Sequence, residues 1–123
     1  MDEDASFDVP AAWKGDYFMS FIPDGYTLEI CEHPSSIGQE IIYVDSTGNR
    51  LRFSELSMDA EINMNTEGFQ VSSVLIDGNA GLFAENTDES MLVWSTTDRY
   101  FVLNVNNTVE AAKKIAEKVV CIK

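Results

Sequence analysis

The sequence predicts an α+β domain with a curved antiparallel sheet of about seven strands, a C-terminal helix packed on one face and a short N-terminal aromatic or helical segment. Three observations lead to this fold class. Short stretches of alternating apolar and polar residues recur between turn residues. The links between consecutive stretches are short, which favours antiparallel pairing. A stripe of apolar residues at helical spacing follows the last strand, within Thr108–Ile122.

The N-terminal region divides into two parts. Residues 1–12 are predicted to be an acidic tail or the remnant of a spacer, because Met1–Asp8 carries four acidic residues and no basic one. Residues 13–123 are long enough for a single α+β domain. Trp13, Tyr17 and Phe21 recur at every fourth position, which predicts one face of a short helix.

The first half of the chain contains three predicted strands: Tyr26–Glu32, Gln39–Asp45 and Arg50–Glu55. Proline and glycine in Ile22–Tyr26 predict a turn before the first of them. Pro34–Gly38 interrupts the pattern, and Ser46–Asn49 is predicted to be a hairpin loop.

The second half begins with Ser57–Gly68, where Met58, Ile62 and Met64 are spaced for either a half-buried strand or a loop pinned at a few points. Phe69–Ile76 and Asn79–Glu85 then form the clearest hairpin, because Asp77-Gly78 is favoured where both turn residues need positive φ. Two further strands follow, Ser90–Thr96 and Arg99–Val105.

The C-terminal helix has both a start signal and a buried face. Asn107 is placed to cap it, with Glu110 three residues later. The apolar stripe consists of Ala112, Ile115, Ala116, Val119 and Ile122, and the lysines lie largely off it.

Charge and composition exclude some classes of partner. The formal net charge is −13 at pH 7, so nucleic acid and anionic membrane surfaces would repel the chain. No stretch has the apolar length of a membrane span, and the acidic start is unlike a signal peptide. Cys31 and Cys121 are expected to be separate packed residues rather than a disulfide.

The last two strands are apolar on both faces, which raises the question of what covers the second face. One helix covers about two strands. The segment Trp13–Phe21 is expected to cover part of the other face. Alternatively, a partly open groove would take a peptide, a lipid-like ligand or a partner's strand. The candidate binding residues are the aromatic ones: Trp13, Tyr17, Phe21, Trp94 and Tyr100.

Catalytic and metal-binding chemistry have little support. A hydrolase would have to use His33, the only histidine, with Cys31 two residues away. Asp77–Asn79 and Asp45–Asn49 are better explained as turns than as calcium ligands. We therefore predict no catalytic residue, no metal and no cofactor.

Several short motifs occur in an order typical of one family: Phe21-Ile-Pro-Asp-Gly-Tyr26, Glu40-Ile-Ile-Tyr-Val-Asp45, Leu51-Arg-Phe53, Val74-Leu-Ile-Asp-Gly78, Met91-Leu-Val-Trp94, Tyr100-Phe-Val-Leu103 and Ile115-Ala-Glu-Lys-Val119. Over Trp13–Lys123 the chain resembles the family called "domain of unknown function 4367". The resemblance implies a Gram-positive bacterial origin and a place outside the membrane, often behind a signal or anchor. The family has no established catalytic residues, so the resemblance carries no site over to this chain.

These observations lead to an expected function. We expect a non-enzymatic, extracytoplasmic interaction or sensory domain, monomeric, and attached to a membrane only through a tether outside this chain. Its partner would be a protein or a small ligand, and not a nucleic acid. The alternative is a carrier or binding module for a small apolar ligand or peptide, and a hydrolase using His33 ranks last.

Overall fold

The structure is a computed structural model that describes residues 9–10, 12–13, 15–35, 38–58, 67–87, 89–105 and 109–122, with the backbone alone for residues 32–35. The described residues form nine strands and one helix. In chain order they are β1 (Tyr17–Met19), β2 (Thr27–Ser35), β3 (Gly38–Val44), β4 (Arg50–Ser57), β5 (Gln70–Ile76), β6 (Asn79–Glu85), β7 (Ser90–Ser95), β8 (Arg99–Val105), α1 (Val109–Ala116) and β9 (Val119–Cys121). The predicted fold class is confirmed.

Seven strands make one antiparallel sheet in the order β2-β3-β4-β8-β7-β6-β5, and the sheet does not close on itself. It consists of two meanders, β2-β3-β4 and β5-β6-β7-β8. They join where β4 pairs with β8, with Leu51 opposite Val105 and Ser57 opposite Arg99. β2 and β5 are consequently the two edge strands.

The hairpin predicted around Asp77-Gly78 is confirmed. Ile76 pairs with Asn79, and the two turn residues have φ values of 50° and 84°. Positive φ at both central positions is the backbone of a type I′ turn, whose twist matches that of the flanking strands.

The C-terminal helix is shorter than predicted. α1 ends at Ala116, and a turn closes where the Glu117 N–H donates to the Lys113 carbonyl at 2.8 Å. Val119–Cys121 then forms β9 instead of a further helical turn. The β-branched pair at its start favours a strand, and β1 supplies a partner for it.

The helix predicted over Trp13–Phe21 is wrong. Tyr17–Met19 forms β1, which pairs antiparallel with β9 in a separate two-stranded sheet. The spacing of the three aromatic residues resembled a helical face, but the backbone hydrogen bonds of this segment are made with the distant C-terminus, from Ile122 N to Asp16 O at 2.8 Å and from Ser20 N to Lys118 O at 2.8 Å.

The core lies on one face of the large sheet, which we call the inner face. Phe53, Leu92 and Leu103 are completely buried there together with Ala112 and Ile115 of α1. α1 lies against β7 and β8, which is the width of two strands that the helix diameter predicts.

The segment Trp13–Phe21 also packs on the inner face, so the expectation that it covers the opposite, outer face is wrong. Trp13 lies 5.4 Å from Phe18 and 5.7 Å from Phe53, measured between ring centroids. The pairing of β1 with β9 is the physical reason, because β9 follows α1 and holds the segment beside the helix.

Some predictions concern residues that the structure does not describe. These are the tail over Met1–Asp8, the cap at Asn107, and Ile62 and Met64 in the stretch without a clear pattern.

Candidate functional site

A groove with a volume of about 750 Å³ opens over β5, β6 and β7 and is the candidate binding site. We call it the β5–β7 groove. Its lining is mostly apolar and comes from five elements: Ser73, Val74, Leu75, Ala80, Gly81, Leu82, Val93, Trp94, Ser95, Tyr100 and Lys113. Ligand pockets in proteins typically measure about 300–1,000 Å³.

Gly81 shapes the groove because no side chain fits at its position. It stands opposite Trp94 in the register of β6 and β7. A Cβ added to Gly81 would lie 2.9 Å from the Val93 carbonyl oxygen and 3.1 Å from the Trp94 Cβ. Trp94 is itself nearly buried and stacks on Phe101 at 5.2 Å. A bare backbone on β6 therefore allows the two strands to lie close together beside a fixed indole.

Large apolar side chains remain in contact with solvent at this end of the sheet. Leu75 is 62% exposed and Leu82 is 43% exposed. The registers of β5 with β6 and of β6 with β7 place both on the outer face, together with Val93. A contiguous exposed apolar surface of this kind marks an interaction site more often than a lone exposed leucine does.

Two of the five predicted binding residues line the groove, Trp94 and Tyr100. The other three lie elsewhere. Trp13 is buried, and its indole N–H donates to the Tyr17 carbonyl at 2.9 Å. Phe21 packs at the edge of the core, with the Lys114 ammonium 4.9 Å from its ring centre.

Tyr17 lies against the core with its hydroxyl on the surface. Its ring is 5.2 Å from Phe101, and its hydroxyl donates to the Asp98 carboxylate at 3.2 Å. Partial burial and the neighbouring Asp98 charge raise the pKa of the Tyr17 phenol above its ordinary value. These contacts hold β1 to the sheet.

A cluster of charged side chains holds β1 against the large sheet. Arg99 Nε donates to Glu55 at 3.1 Å, and Arg99 Nη2 donates to Asp16 at 2.5 Å. Glu55, only 4% exposed, also accepts the backbone N–H groups of Asp16 and Tyr17 at 3.1 and 2.9 Å. Burial disfavours the charge on Arg99, but its hydrogen bonds to both carboxylates outweigh burial and raise its pKa. These hydrogen bonds and ion pairs therefore hold β1 to β4 and β8.

Sequence patterns missed several of these residues. Glu55 falls on the same side of β4 as Leu51 and Phe53, and an acidic residue in an apolar phase is a signal for a buried partner. The exposure of Leu75 and Leu82 had no such signal, since it depends on which strands lie beside β5 and β6.

The remaining candidate residues lie in separate parts of the fold as far as the structure describes them. The histidine, His33, belongs to β2, and its side chain lies outside the described residues. Cys31 and Cys121 are not joined in a disulfide, and Cys121 is exposed. The Asp45 carboxylate accepts hydrogen bonds from Thr47 and Asn49 and so stabilises the β3–β4 loop.

Among the described residues, no group of three or more His, Cys, Asp or Glu side chains is placed to hold a metal ion. In the same part of the chain, no helix is long and apolar enough to cross a membrane.

The described residues form an α+β domain with a seven-stranded antiparallel sheet, one helix and an open groove. The chain belongs to the family described as "Domain of unknown function (DUF4367)", whose model matches residues 16–119. This match confirms the family resemblance seen in the sequence motifs. No curated protein and no solved structure shows a significant match to the chain.

Proposed function

We propose that this domain is a non-enzymatic binding module that holds an extended segment of a partner protein in the β5–β7 groove. The observation that carries the proposal is the groove of about 750 Å³, lined on the inner face by Trp94 and by Lys113 of α1, together with the exposed Leu75 and Leu82 on the outer face of the same strands. Folded proteins seldom leave such side chains together in water unless the surface is used.

The groove is open rather than enclosed, which favours a chain segment over a compact ligand. An extended segment can lie along an open groove with both of its ends in solvent. A pocket for a small ligand usually encloses the ligand and buries about 70–90% of its surface. We assign the charged cluster around Arg99 a structural role, because its members bind one another and the backbone of β1.

The proposal also places the domain outside the cytoplasmic membrane, as the interaction or sensory part of a tethered bacterial protein. The support is the family resemblance, together with the net charge of −13, which disfavours anionic membrane surfaces as a direct partner. The test is protease accessibility of the epitope-tagged full-length gene product in intact cells. Protection of the domain until the membrane is permeabilised would overturn this placement.

Binding is tested with a random peptide library displayed on phage and selected against the purified domain. Affinity of the selected peptides is then measured by fluorescence anisotropy for the wild type and Leu82→Glu. We expect Leu82→Glu to weaken binding by about tenfold or more, because it places an unpaired charge on the exposed apolar surface of the strand that lines the groove.

The matched control is Leu28→Glu. Leu28 is 48% exposed, close to the 43% of Leu82, but it lies on β2 at the other edge of the sheet. The control should leave peptide affinity unchanged. Equal losses in both variants, or peptides indifferent to both, would contradict the assignment of the groove.

A small apolar ligand is the second candidate, because the volume of the groove falls within the usual range for such ligands. Titration with the neutral dye Nile red distinguishes the two. A carrier would bind the dye at a single site and lose it in Leu82→Glu, and selected peptides would compete with it only weakly. A peptide-binding module would release the dye when the selected peptide is added.

A further inference from the structure

β5 is one of the two edge strands of the large sheet. Its seven residues, Gln70–Ile76, contain no charged residue and no proline. They pair with β6 in a continuous register from Gln70 opposite Glu85 to Ile76 opposite Asn79. Among the described residues, no strand pairs with the other side of β5.

The opposite edge strand, β2, carries several protective features. Its pairing with β3 is interrupted by register shifts between Leu28 and Ile30 and between Glu32 and Ser35. Pro34 lacks a backbone donor, and Glu29 holds Arg50 in an ion pair at 3.0 Å. Bulges, proline and charge are the usual means by which proteins prevent pairing at a sheet edge. The same sheet therefore protects one edge and leaves the other available.

The hydrogen-bonding groups that β5 offers follow from its hairpin. In a hairpin with a two-residue turn, the residues that flank the turn form a hydrogen-bonded pair, and such pairs alternate along the strands. Ile76 flanks the turn, so Val74 and Ser72 also direct their N–H and C=O groups to β6. Val71, Ser73 and Leu75 direct their backbone N–H and C=O groups away from β6, within the plane of the sheet.

The β5 residues whose backbone groups point away from β6 adjoin the groove. Ser73 and Leu75 line it, and their side chains share the outer face with Leu82 and Val93. A strand added to β5 would make backbone hydrogen bonds with these residues. Its outer-face side chains would lie against the exposed leucines, in the manner of β-strand addition.

Charge selects the kind of strand. The ionisable residues closest to β5 along the chain are Glu67 before it and Asp77 after it, and Glu85 stands opposite Gln70. All three are acidic, and the whole chain has a formal net charge of −13, whereas the basic residue that lines the groove, Lys113, belongs to α1 on the inner face. A basic segment is attracted to this edge, whereas a second copy of the chain is repelled.

We infer that the partner binds as an additional antiparallel strand on β5 and carries apolar residues that alternate with basic or neutral polar ones. The inference rests on the proposed function, since it specifies how a segment of the partner binds beside the β5–β7 groove. Backbone hydrogen bonds to Val71, Ser73 and Leu75 supply the affinity, and alternate apolar side chains supply the fit.

The probe is a capped seven-residue peptide, equal in length to β5, in which valine alternates with lysine and threonine. A second peptide has glutamate in place of lysine. We expect the lysine peptide to bind about tenfold or more tightly than the glutamate peptide at low ionic strength.

Amide hydrogen exchange of the purified domain reports where the peptide binds. The amides of Ser72 and Val74 are protected by β6 in the free domain. We expect those of Val71, Ser73 and Leu75 to exchange faster, and the lysine peptide should slow them by about tenfold or more. Slowing at β2 instead, or slowing at no strand edge, would overturn the inference.

Backbone substitution tests the hydrogen bonds directly. Ser73→Pro removes an outward N–H without removing a hydrogen bond to β6, and Ser73→Ala keeps the N–H. We expect Ser73→Pro to abolish binding of the lysine peptide and Ser73→Ala to preserve it. Circular dichroism verifies that both variants are folded.

N-methylated peptides keep the test independent of the stability of Ser73→Pro. Two versions of the lysine peptide are methylated on alternate backbone nitrogens. In an antiparallel pair only every second N–H of the added strand faces β5, so one version should lose binding and the other keep it. Loss in both or in neither would contradict strand addition.

The outcomes separate the inference from the proposed function. If the library-selected peptides bind and depend on Leu82, but the alternate methylation has no effect, the groove binds a partner in some other way than by strand addition. If no peptide binds, both proposals fail. If size-exclusion chromatography shows a dimer that Ser73→Pro dissociates, β5 pairs with a second copy and the basic partner is overturned.

Discussion

Glu55 is the residue on which the attachment of β1 to the large sheet most depends. It is the one buried carboxylate among the described core residues, and it joins Arg99 to two backbone N–H groups of the β1 segment. A buried charge is tolerated only with such partners, since desolvation costs several kcal/mol. Gly15 allows the approach, because a Cβ there would lie 2.5 Å from the Glu55 carboxylate.

Glu55→Gln should lower the free energy of unfolding by about 2–4 kcal/mol, measured by urea denaturation. The amide NH₂ group would face donors where the carboxylate accepted hydrogen bonds, and Arg99 would lose a partner. The matched control is Glu40→Gln, which breaks the exposed Glu40–Arg52 pair at 2.8 Å. The control should cost less than about 1 kcal/mol, and equal losses would show that Glu55 is no more than a surface residue.

Asp45 makes the β3–β4 loop sensitive to acid. The Thr47 hydroxyl, followed by the backbone N–H groups of Asn49 and Thr47, lowers the pKa of Asp45 below its ordinary value of 3.8 despite some desolvation. Because the folded-state pKa is the lower one, the stabilisation is fully present above pH 3.8 and is lost as the pH falls through the folded pKa.

The gap in urea midpoint between the wild type and Asp45→Asn should therefore narrow as the pH is lowered from about 6 to about 2. A carboxyl titration followed by NMR should place the Asp45 midpoint below 3.8. A midpoint above that value would contradict the hydrogen-bonded loop.

At the scale of elements, the β5–β6 hairpin is the unit most strongly determined by local sequence. Its turn needs positive φ at both central residues, and Asp77 and Gly78 are residues that accept it. The strands on both sides also alternate, so that turn and strand patterns agree on one register.

Gly78→Ala should lower the free energy of unfolding by about 1 kcal/mol or more, because a side chain at φ 84° is strained even though nothing lies within 4 Å of the position. Asp77→Asn is the control and should stay within about 0.5 kcal/mol, since asparagine also tolerates positive φ. Thermal and urea unfolding both report the difference. An unchanged free energy of unfolding in Gly78→Ala would show that the turn has another conformation.

The two chain ends show why element prediction is weaker where local and distant partners compete. Tyr17–Met19 and Val119–Cys121 carry helical spacing in the sequence, yet they pair with each other as strands. Apolar periodicity in so short a segment gives a burial pattern without fixing the hydrogen-bond partner. The lysine-containing turn before β9 and the hydrogen bonds at Ser20 and Ile122 then complete the pairing.

At the scale of the whole molecule, the formal net charge of −13 should oppose compactness. Raising NaCl from about 0.02 to about 0.5 M should increase the urea midpoint, because screening weakens the repulsion between carboxylates. The double variant Glu85→Lys with Glu117→Lys, both at exposed positions, makes the charge less negative and should respond less to salt. A midpoint that falls with salt would show that attractive surface pairs dominate instead.

The family, the seven strands of the large sheet, the Asp77-Gly78 turn and the buried Ala112, Ile115 and Ala116 of the helix followed from the sequence by itself. Each depends on neighbours within a few residues, where backbone preference and alternating burial act together. Only the tertiary structure decided that β4 pairs with β8, that β1 pairs with β9, and that β5 is an open edge. These arrangements join segments far apart in the chain. Their free energy comes from burying one shared inner face, which no local pattern records.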